Sequence, residues 1–319
     1  MLFGQKMFLG QPLYGKVKSV NYTPKKYNIA AEEYQVIFQD YSDRINEYQR
    51  KYEFDANQNL VREIGLDFNF IRKYNKQNLL VEEISHSPQR KIEEVSTKKV
   101  LEYNENKSLH KISQYSIGNG KTWLTNTTTY KYNTNGKLIE ETTNTFDAVT
   151  PENAPKITKK TYTYNKSGIP SSYTYYNGYG DSFLTKITYD KTQRKLQEVN
   201  IDNNKQKETS SIIFSYDDSK HITTSKYYYN GKLTSTVMIR YNSKNNIIET
   251  STIGNQRKFK ILYNYNEKGW LIANNYITND SLSYVKAYKH DKLGNLIQCI
   301  YTDKNNRPIF SYALDIIYF

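Results

Sequence analysis

Tyr130-Lys131-Tyr132-Asn133-Thr134-Asn135-Gly136-Lys137-Leu138 is the stretch that decides the fold. It reads aromatic-x-aromatic, then Asn, then a polar loop carrying Gly, then an aliphatic residue. Asn133 stands where a type I turn favours Asn or Asp, because that side chain bonds the backbone two residues on. Gly136 follows three residues later, where such a turn closes through a left-handed residue and a bulge. Tyr132 and Leu138 then flank the loop as a cross-strand pair, which stabilises a sheet by about 0.2–1 kcal/mol. The stretch predicts a β-hairpin.

The pattern recurs along the chain. Tyr263-Asn264-Tyr265-Asn266-Glu267-Lys268-Gly269-Trp270-Leu271 repeats it, and Tyr288-Lys289-His290-Asp291-Lys292-Leu293-Gly294-Asn295-Leu296 does so with His290 for the second aromatic. Weaker copies centre on Asp55, Asn75, Asn104, Asn165, Asp190, Asp217 and Asn242. The ten anchors lie 20–32 residues apart, and the last five spacings are 24–27. Gly or Asn fills the third position after the anchor in six copies, at Asn78, Gly136, Gly168, Asn245, Gly269 and Gly294. An aliphatic residue lies six positions past the aromatic or His in eight copies; Pro170 takes that place in one, and Leu196 comes one residue late in another.

Second turns fall between many anchors, among them Gly118-Asn119-Gly120-Lys121, Asp202-Asn203-Asn204-Lys205, Asn230-Gly231-Lys232, Gly254-Asn255-Gln256 and Asn279-Asp280-Ser281. Asn-Gly is among the strongest short-range hairpin signals. Each unit therefore holds two strands and two turns. Between the turns the period is two: Leu233, Ser235, Val237, Ile239 and Tyr241 share one face, and Phe259, Ile261, Tyr263 and Tyr265 share another. Residues 29–52 place Ala30, Ala31, Tyr34, Ile37 and Phe38 at roughly helical spacing, but their β-rich flanks favour strand or irregular structure.

The expectation is an all-β protein of antiparallel β-hairpin repeats, about ten units and about twenty strands. Open twisted sheets rarely exceed about ten strands without curling, so a curled sheet, a spiral or a partial barrel is expected. Residues 1–50 are read as an N-terminal segment and cap, with 15–40 covering one end. Residues 51–319 are the repeat array, with 308–319 closing the other end and a candidate seam at 147–155.

Composition narrows the class. The chain has 319 residues, 32 of them Tyr, with 45 Lys+Arg against 32 Asp+Glu and a net charge of +13. Mean hydropathy is −0.82 although 14% of residues are aromatic. Such aromatic content is foreign to disordered chains. No apolar run approaches the roughly 18 residues of a transmembrane helix, and the lone Cys299 excludes a disulfide scaffold. The basic excess is scattered and interleaved with Glu82-Glu83, Glu93-Glu94 and Glu140-Glu141. Nucleic-acid binding normally wants a clustered basic stripe, so nucleic acid is not an expected partner. Lysines on exposed strand positions also discourage edge-to-edge aggregation.

The motif aromatic-x-Tyr-Asp/Asn-x-x-Gly-x-Leu resembles the tyrosine–aspartate (YD) repeat of RHS-type proteins. The chain as a whole resembles the small stand-alone RHS-repeat proteins of Bacteroidetes, over about residues 50–310 and more loosely at Leu13-Tyr14-Gly15-Lys16-Val17-Lys18-Ser19-Val20. The resemblance implies a β-spiral architecture and a surface or secreted role. Large members enclose a toxin and cleave themselves at a segment with an Asp-Pro motif; this sequence has no Asp-Pro, so neither property carries over. Met1-Leu2-Phe3-Gly4-Gln5 looks like the end of a signal peptide, which makes an exported protein the expectation and a cytosolic one the alternative.

No enzyme constellation emerges. His86, His110, His221 and His290 lie in different units without metal-ligand spacing. Asp217 of the Asp217-Asp218 pair is a turn residue, and Cys299 in its strand pattern reads as a small buried hydrophobe. Gly118-Asn119-Gly120 and Gly178-Tyr179-Gly180 are not followed by the Gly-Lys-Ser/Thr of a phosphate loop. No catalytic, cofactor-binding or metal-binding residue is expected. Most tyrosines serve the sheet, with the ring packed and the hydroxyl wet. Two clusters exceed that need: Tyr173, Tyr175, Tyr176 and Tyr179 around one turn, and Tyr227–Tyr229 before another. Tyr175, Tyr176, Tyr179 and Tyr228 are the candidate ligand-binding residues.

The expected function is a non-catalytic, extracytoplasmic binding or structural module whose partner is a cell-envelope polysaccharide or a surface protein. The alternative is an intracellular partner-binding protein, immunity- or chaperone-like, for a toxin system.

Overall fold

The computed structural model describes residues 7–8, 11–28, 33–36, 49–65, 68–86, 96–118, 120–147, 154–254 and 257–319. They form strands and turns with no helix. Most of the candidate seam at 147–155, and most of residues 29–52, lie outside them; within the latter, Glu33–Val36 and Arg50–Phe54 are strands.

The repeat motif folds as its residues dictate. In the hairpin joining Lys121–Tyr132 to Leu138–Thr145, the Gly136 N–H donates to the Asn133 carbonyl and the Asn133 N–H to the Lys137 carbonyl, both at 2.9 Å. The Asn133 side-chain oxygen accepts from the Asn135 and Lys137 N–H groups at 3.0 Å. Gly136 has φ 71°, and the register shifts at Lys131/Tyr132, the expected bulge. The same two backbone bonds recur at Asp55, Asn75, Asn104, Asn165, Asp190, Asn242, Asn266 and Asp291. Gln58, Lys107 and Gln193 take positive φ in the slot usually held by Gly or Asn. The Asp217 copy departs: Asp217 pairs directly with Ile222, and His221 carries the positive φ of a loop without the bulge. An eleventh copy, beyond the ten anchors read in the sequence, turns at Asp303 with Asn306 at φ 61°.

The second tyrosine of the motif ties successive units together. The Tyr74 hydroxyl donates to the Leu60 carbonyl at 2.9 Å, Tyr132 to Leu109 at 2.8 Å, Tyr164 to Leu138 at 2.5 Å, Tyr189 to Pro170 at 2.7 Å and Tyr216 to Lys195 at 2.8 Å. Each acceptor lies just past the loop of the preceding unit. Burial pushes the Tyr132, Tyr164 and Tyr216 hydroxyls above the ordinary tyrosine range, which keeps them neutral and able to donate.

The chain divides into two compact units. One comprises residues 1–97, 118–120 and 259–319; the other comprises 98–117 and 121–258. In the first, Pro308–Tyr318 runs antiparallel to Val17–Asn28, from Phe310↔Lys26 to Tyr318↔Val17, and pairs on its other side with Leu296–Asp303. Val17–Asn28 in turn pairs with Arg50–Phe54 through Ser19–Tyr22, and carries the short Glu33–Val36 strand beside Lys25–Asn28.

This pairing corrects the sequence expectation of a curled sheet, spiral or partial barrel with caps at two ends. The two presumed caps bond to each other, and the strand order of the described residues runs back on itself. This antiparallel pairing joins the N–H and C=O groups that two free edges would leave open.

The hydrophobic core belongs to the first unit. Val17, Val20, Tyr22, Tyr52, Phe54, Leu296, Cys299, Phe310, Tyr312 and Leu314 are buried together. A clasp adjoins it: fully buried Asn295 donates from its side chain to the Tyr14 carbonyl at 3.0 Å and to Tyr318 Oη at 2.7 Å, while Tyr318 Oη donates to Asp291 at 2.5 Å. In the second unit, the buried side chains among the described residues are polar: Ser113, Thr185, Asp202 and Ser211.

Candidate functional site

Strand register decides which tyrosines of the second unit share a face. Tyr173 pairs with Tyr162 on one side and Thr185 on the other. Thr185 pairs with Asn200, Asn200 with Ser210, and Ser210 with Tyr229. Six strands thus set Tyr162, Tyr173, Thr185, Asn200, Ser210 and Tyr229 in one row. At roughly 4.8 Å per strand, Tyr173 and Tyr229 stand about 19 Å apart. Between them runs a polar floor. The Thr185 hydroxyl donates to Asn200 Oδ1 at 2.6 Å, and Asn200 Nδ2 donates to Ser210 Oγ at 3.0 Å. Thr185 is 3% exposed, whereas Tyr229 is 61% exposed.

Charge lies close to the aromatic end of this row. Lys160 Nζ sits 4.1 Å from the Tyr173 ring centroid and 5.2 Å from that of Tyr162, within cation–π range. The row therefore combines ring faces, hydroxyls, an amide and an ammonium group. Those are the groups that hold a hydroxylated ligand by stacking and hydrogen bonding.

The four residues singled out from the sequence do not converge. Tyr175 faces the same way as Tyr173, between Lys160 and Phe183, and is 38% exposed. Tyr176 points to the opposite face, beside Lys159 and Ser182. Tyr228 also takes that opposite face, beside Ser211 and Leu233. Tyr179 belongs to the turn between Asn177 and Asp181; it is 78% exposed, with Lys156 Nζ 3.5 Å from its ring centroid. Thr185, Asn200 and Ser210 carried no sequence signal, because only pairing across strands brings them together.

The remaining candidates have structural places. His290 packs against Trp270 with centroids 5.6 Å apart, and burial holds its pKa below the ordinary range against the pull of Asp291. Asp217 accepts from Ser219 Oγ and the Lys220 N–H in its turn. Cys299 is a fully buried thiol in the core. Among the described residues, no three His, Cys, Asp or Glu side chains gather as metal ligands.

Both faces of this unit carry charge in mid-strand. Glu140 is held between Lys131 at 2.8 Å and Lys159 at 2.7 Å on one face, while Glu141 and Lys160 pair across strands on the other. A Lys or Arg on a lipid-facing strand costs about 2–4 kcal/mol at the bilayer midplane. Among the described residues no helix is long and apolar enough to cross a membrane.

The chain matches no protein-family model and no curated protein. Among solved structures it is similar to a porin-like protein from Bacteroides uniformis, at 10% identity and a TM-score of 0.36, covering 94% of this chain and 96% of that one. A porin-like protein from Bacteroides vulgatus matches at 13% identity and a TM-score of 0.23, over 96% and 99% of the two chains. The TcdB2-TccC3-Cdc42 structure matches at 11% identity and a TM-score of 0.35, over 82% of this chain. The chain spans 19% of the length of that last structure's chain. The YD-type resemblance rests on the repeat motif.

Proposed function

We propose that the protein is a non-catalytic binding module of the YD-repeat, RHS-like kind, acting outside the cytoplasm on a cell-envelope polysaccharide. The observation that carries this reading is the row Tyr162, Tyr173, Thr185, Asn200, Ser210 and Tyr229. Two aromatic ends flank a floor of hydroxyl and amide groups, and Lys160 stands beside one end. An extended row across strands suits a chain of sugar units, with rings stacking on tyrosine faces and hydroxyls bonding the floor. The sequence alone would test Tyr175 and Tyr228 alike; the register separates them.

The test is retention of the intact protein on an array of envelope polysaccharides. Tyr229→Ala and Tyr175→Ala weaken retention by about tenfold each, in line with a stacking loss of about 1–3 kcal/mol per aromatic ring. Tyr228→Ala, on the opposite face, leaves retention unchanged. Absence of retention on every glycan, or equal loss from Tyr228→Ala and Tyr229→Ala, overturns the reading.

A further inference from the structure

A second aromatic surface lies in the unit that holds the core, and its chemistry differs from that of the row described above. Four strands build it: Lys258–Tyr265, Leu271–Thr278, Ser281–His290 and Leu296–Asp303. Tyr276 and Tyr284 are cross-strand partners with ring centroids 4.2 Å apart and planes 14° from parallel. Tyr301 continues the series, 6.3 Å from Tyr284 and 16° from parallel. Phe259 extends it the other way, 6.1 Å from Tyr276, and is 36% exposed. The rings thus run from an exposed end at Phe259 through half-buried Tyr276, Tyr284 and Tyr301 towards the core.

Two polar groups on this surface exceed what packing asks for. Lys286 is half-buried, with its ammonium 5.0 Å from the Tyr276 centroid and 4.6 Å from the Tyr301 centroid. The rings hold the cation in place, and among the described residues no carboxylate forms an ion pair with it. Beside it, across the strand pair, stands Asn274. Asn274 is 6% exposed; its Nδ2 donates to Tyr288 Oη at 3.2 Å, while Oδ1 has no hydrogen-bond partner. A buried amide oxygen left unpaired destabilises the fold, and turning the amide end for end would only leave Nδ2 unpaired instead. The unmatched acceptor and the positioned ammonium adjoin on one aromatic face.

We propose that Phe259, Tyr276, Tyr284, Lys286 and Asn274 form a binding subsite for an acidic sugar, with Lys286 pairing the carboxylate of a uronate unit. Asn274 Oδ1 takes a hydroxyl of the same unit, and the exposed ring surface stacks on its C–H face. Lys286 sets the preference for acidic over neutral saccharides, because an ammonium preorganised between two rings gives a charge-assisted hydrogen bond that a neutral sugar cannot match. The subsite stands on different residues from Tyr173, Tyr175 and Tyr229, so it fails separately from the proposed function.

The probes are a glucuronate-bearing tetrasaccharide and the same tetrasaccharide with its carboxyls reduced to alcohols, titrated into the intact protein by calorimetry. The unaltered protein binds the acidic probe about tenfold more tightly than the reduced one. Lys286→Met brings the two affinities together, and Lys286→Arg keeps most of the difference. Tyr228→Ala, at a residue on neither surface, leaves the ratio unchanged. As a measurement free of mutation, the acidic probe slows reductive methylation of Lys286 in the unaltered protein, read by mass spectrometry, and the reduced probe does not. A preference that survives Lys286→Met, no binding of the acidic probe, or no protection of Lys286 overturns the subsite. If Lys286→Met changes nothing while Tyr229→Ala still weakens retention on polysaccharide, the subsite falls and the proposed function stands.

Discussion

Each tyrosine of the motif does a different task according to its position. The first ring packs on the sheet face; the second sends its hydroxyl back to a carbonyl of the preceding unit, as Tyr132 does to Leu109 at 2.8 Å. That carbonyl lies just past the loop of the preceding unit, so the bond ties two units together. A single hydrogen bond of this kind contributes about 0.5–1.5 kcal/mol, and removing the donor strands its acceptor. Tyr132→Phe, which keeps the ring, lowers the stability by about 1 kcal/mol in urea unfolding monitored by circular dichroism. No change on that substitution would show that water replaces the hydroxyl at no cost. Phe in the second position was not distinguishable from Tyr by the aromatic-x-aromatic pattern, since Phe54 fills it in one copy. The role of the hydroxyl became legible only with its acceptor in view.

At the scale of the hairpin, the backbone outranks the side chain. Gly136 with φ 71° and Lys107 with φ 66° adopt the same conformation in equivalent turns. A residue with a Cβ pays about 1–2 kcal/mol for that conformation, and Gly recovers much of it while losing about 0.5–1 kcal/mol of chain entropy. Lys107→Gly therefore stabilises the protein by about 0.5 kcal/mol; a melting temperature that falls would mean that the Lys107 side chain makes a contribution of its own. The turn positions were readable in the sequence because Asn, Asp and Gly have distinct local physics. The Asp303 copy departs from the pattern on both flanks, with Thr302 in place of the second aromatic and Pro308 in place of the aliphatic residue. Its turn is nonetheless built as the others are, with Asp303 accepting from the Asn305 and Arg307 N–H groups. Face assignment was legible strand by strand from the period of two, but not across strands, because each bulge resets the register by one residue.

At the scale of the whole molecule, the first and last long strands meet where Pro308–Tyr318 pairs with Val17–Asn28. The clasp beside that pairing gives it a pH dependence. Burial pushes the Asp291 carboxyl up, but hydrogen bonds from Tyr318 and Asn295 outweigh it and hold the pKa below the ordinary carboxylate range. Burial and the bond to Asp291 push the Tyr318 hydroxyl up to about 12. A depressed carboxylate contributes stability above its unfolded pKa and loses it as pH falls through the folded value. A raised tyrosine contributes stability below its unfolded pKa of about 10 and loses it as pH rises towards 12. The clasp is therefore fully engaged between about pH 5 and pH 9. Tyr318→Phe lowers the melting temperature across that window, and the difference from the unaltered protein shrinks at pH 3 and above pH 11. A difference that stays constant with pH would mean that the ring of Tyr318, not its hydroxyl, carries the contribution.

The sequence by itself determined the hairpin, its turn chemistry, the period of two and the repetition, since each follows from interactions within about ten residues. Asn133, Gly136 and Leu138 need no distant partner to define their turn. What only the tertiary structure decided are the pairings between residues far apart in the chain. Phe310 meets Lys26, and Asn295 meets Tyr14. Thr185, Asn200 and Ser210 join Tyr173 and Tyr229 in one row, while Tyr176 and Tyr228 turn away from it. The physical reason is that a meander's local signals are the same whether its ends stay apart or meet. Closure is set by twist accumulated over many strands and by the unpaired backbone groups of two edges that find each other.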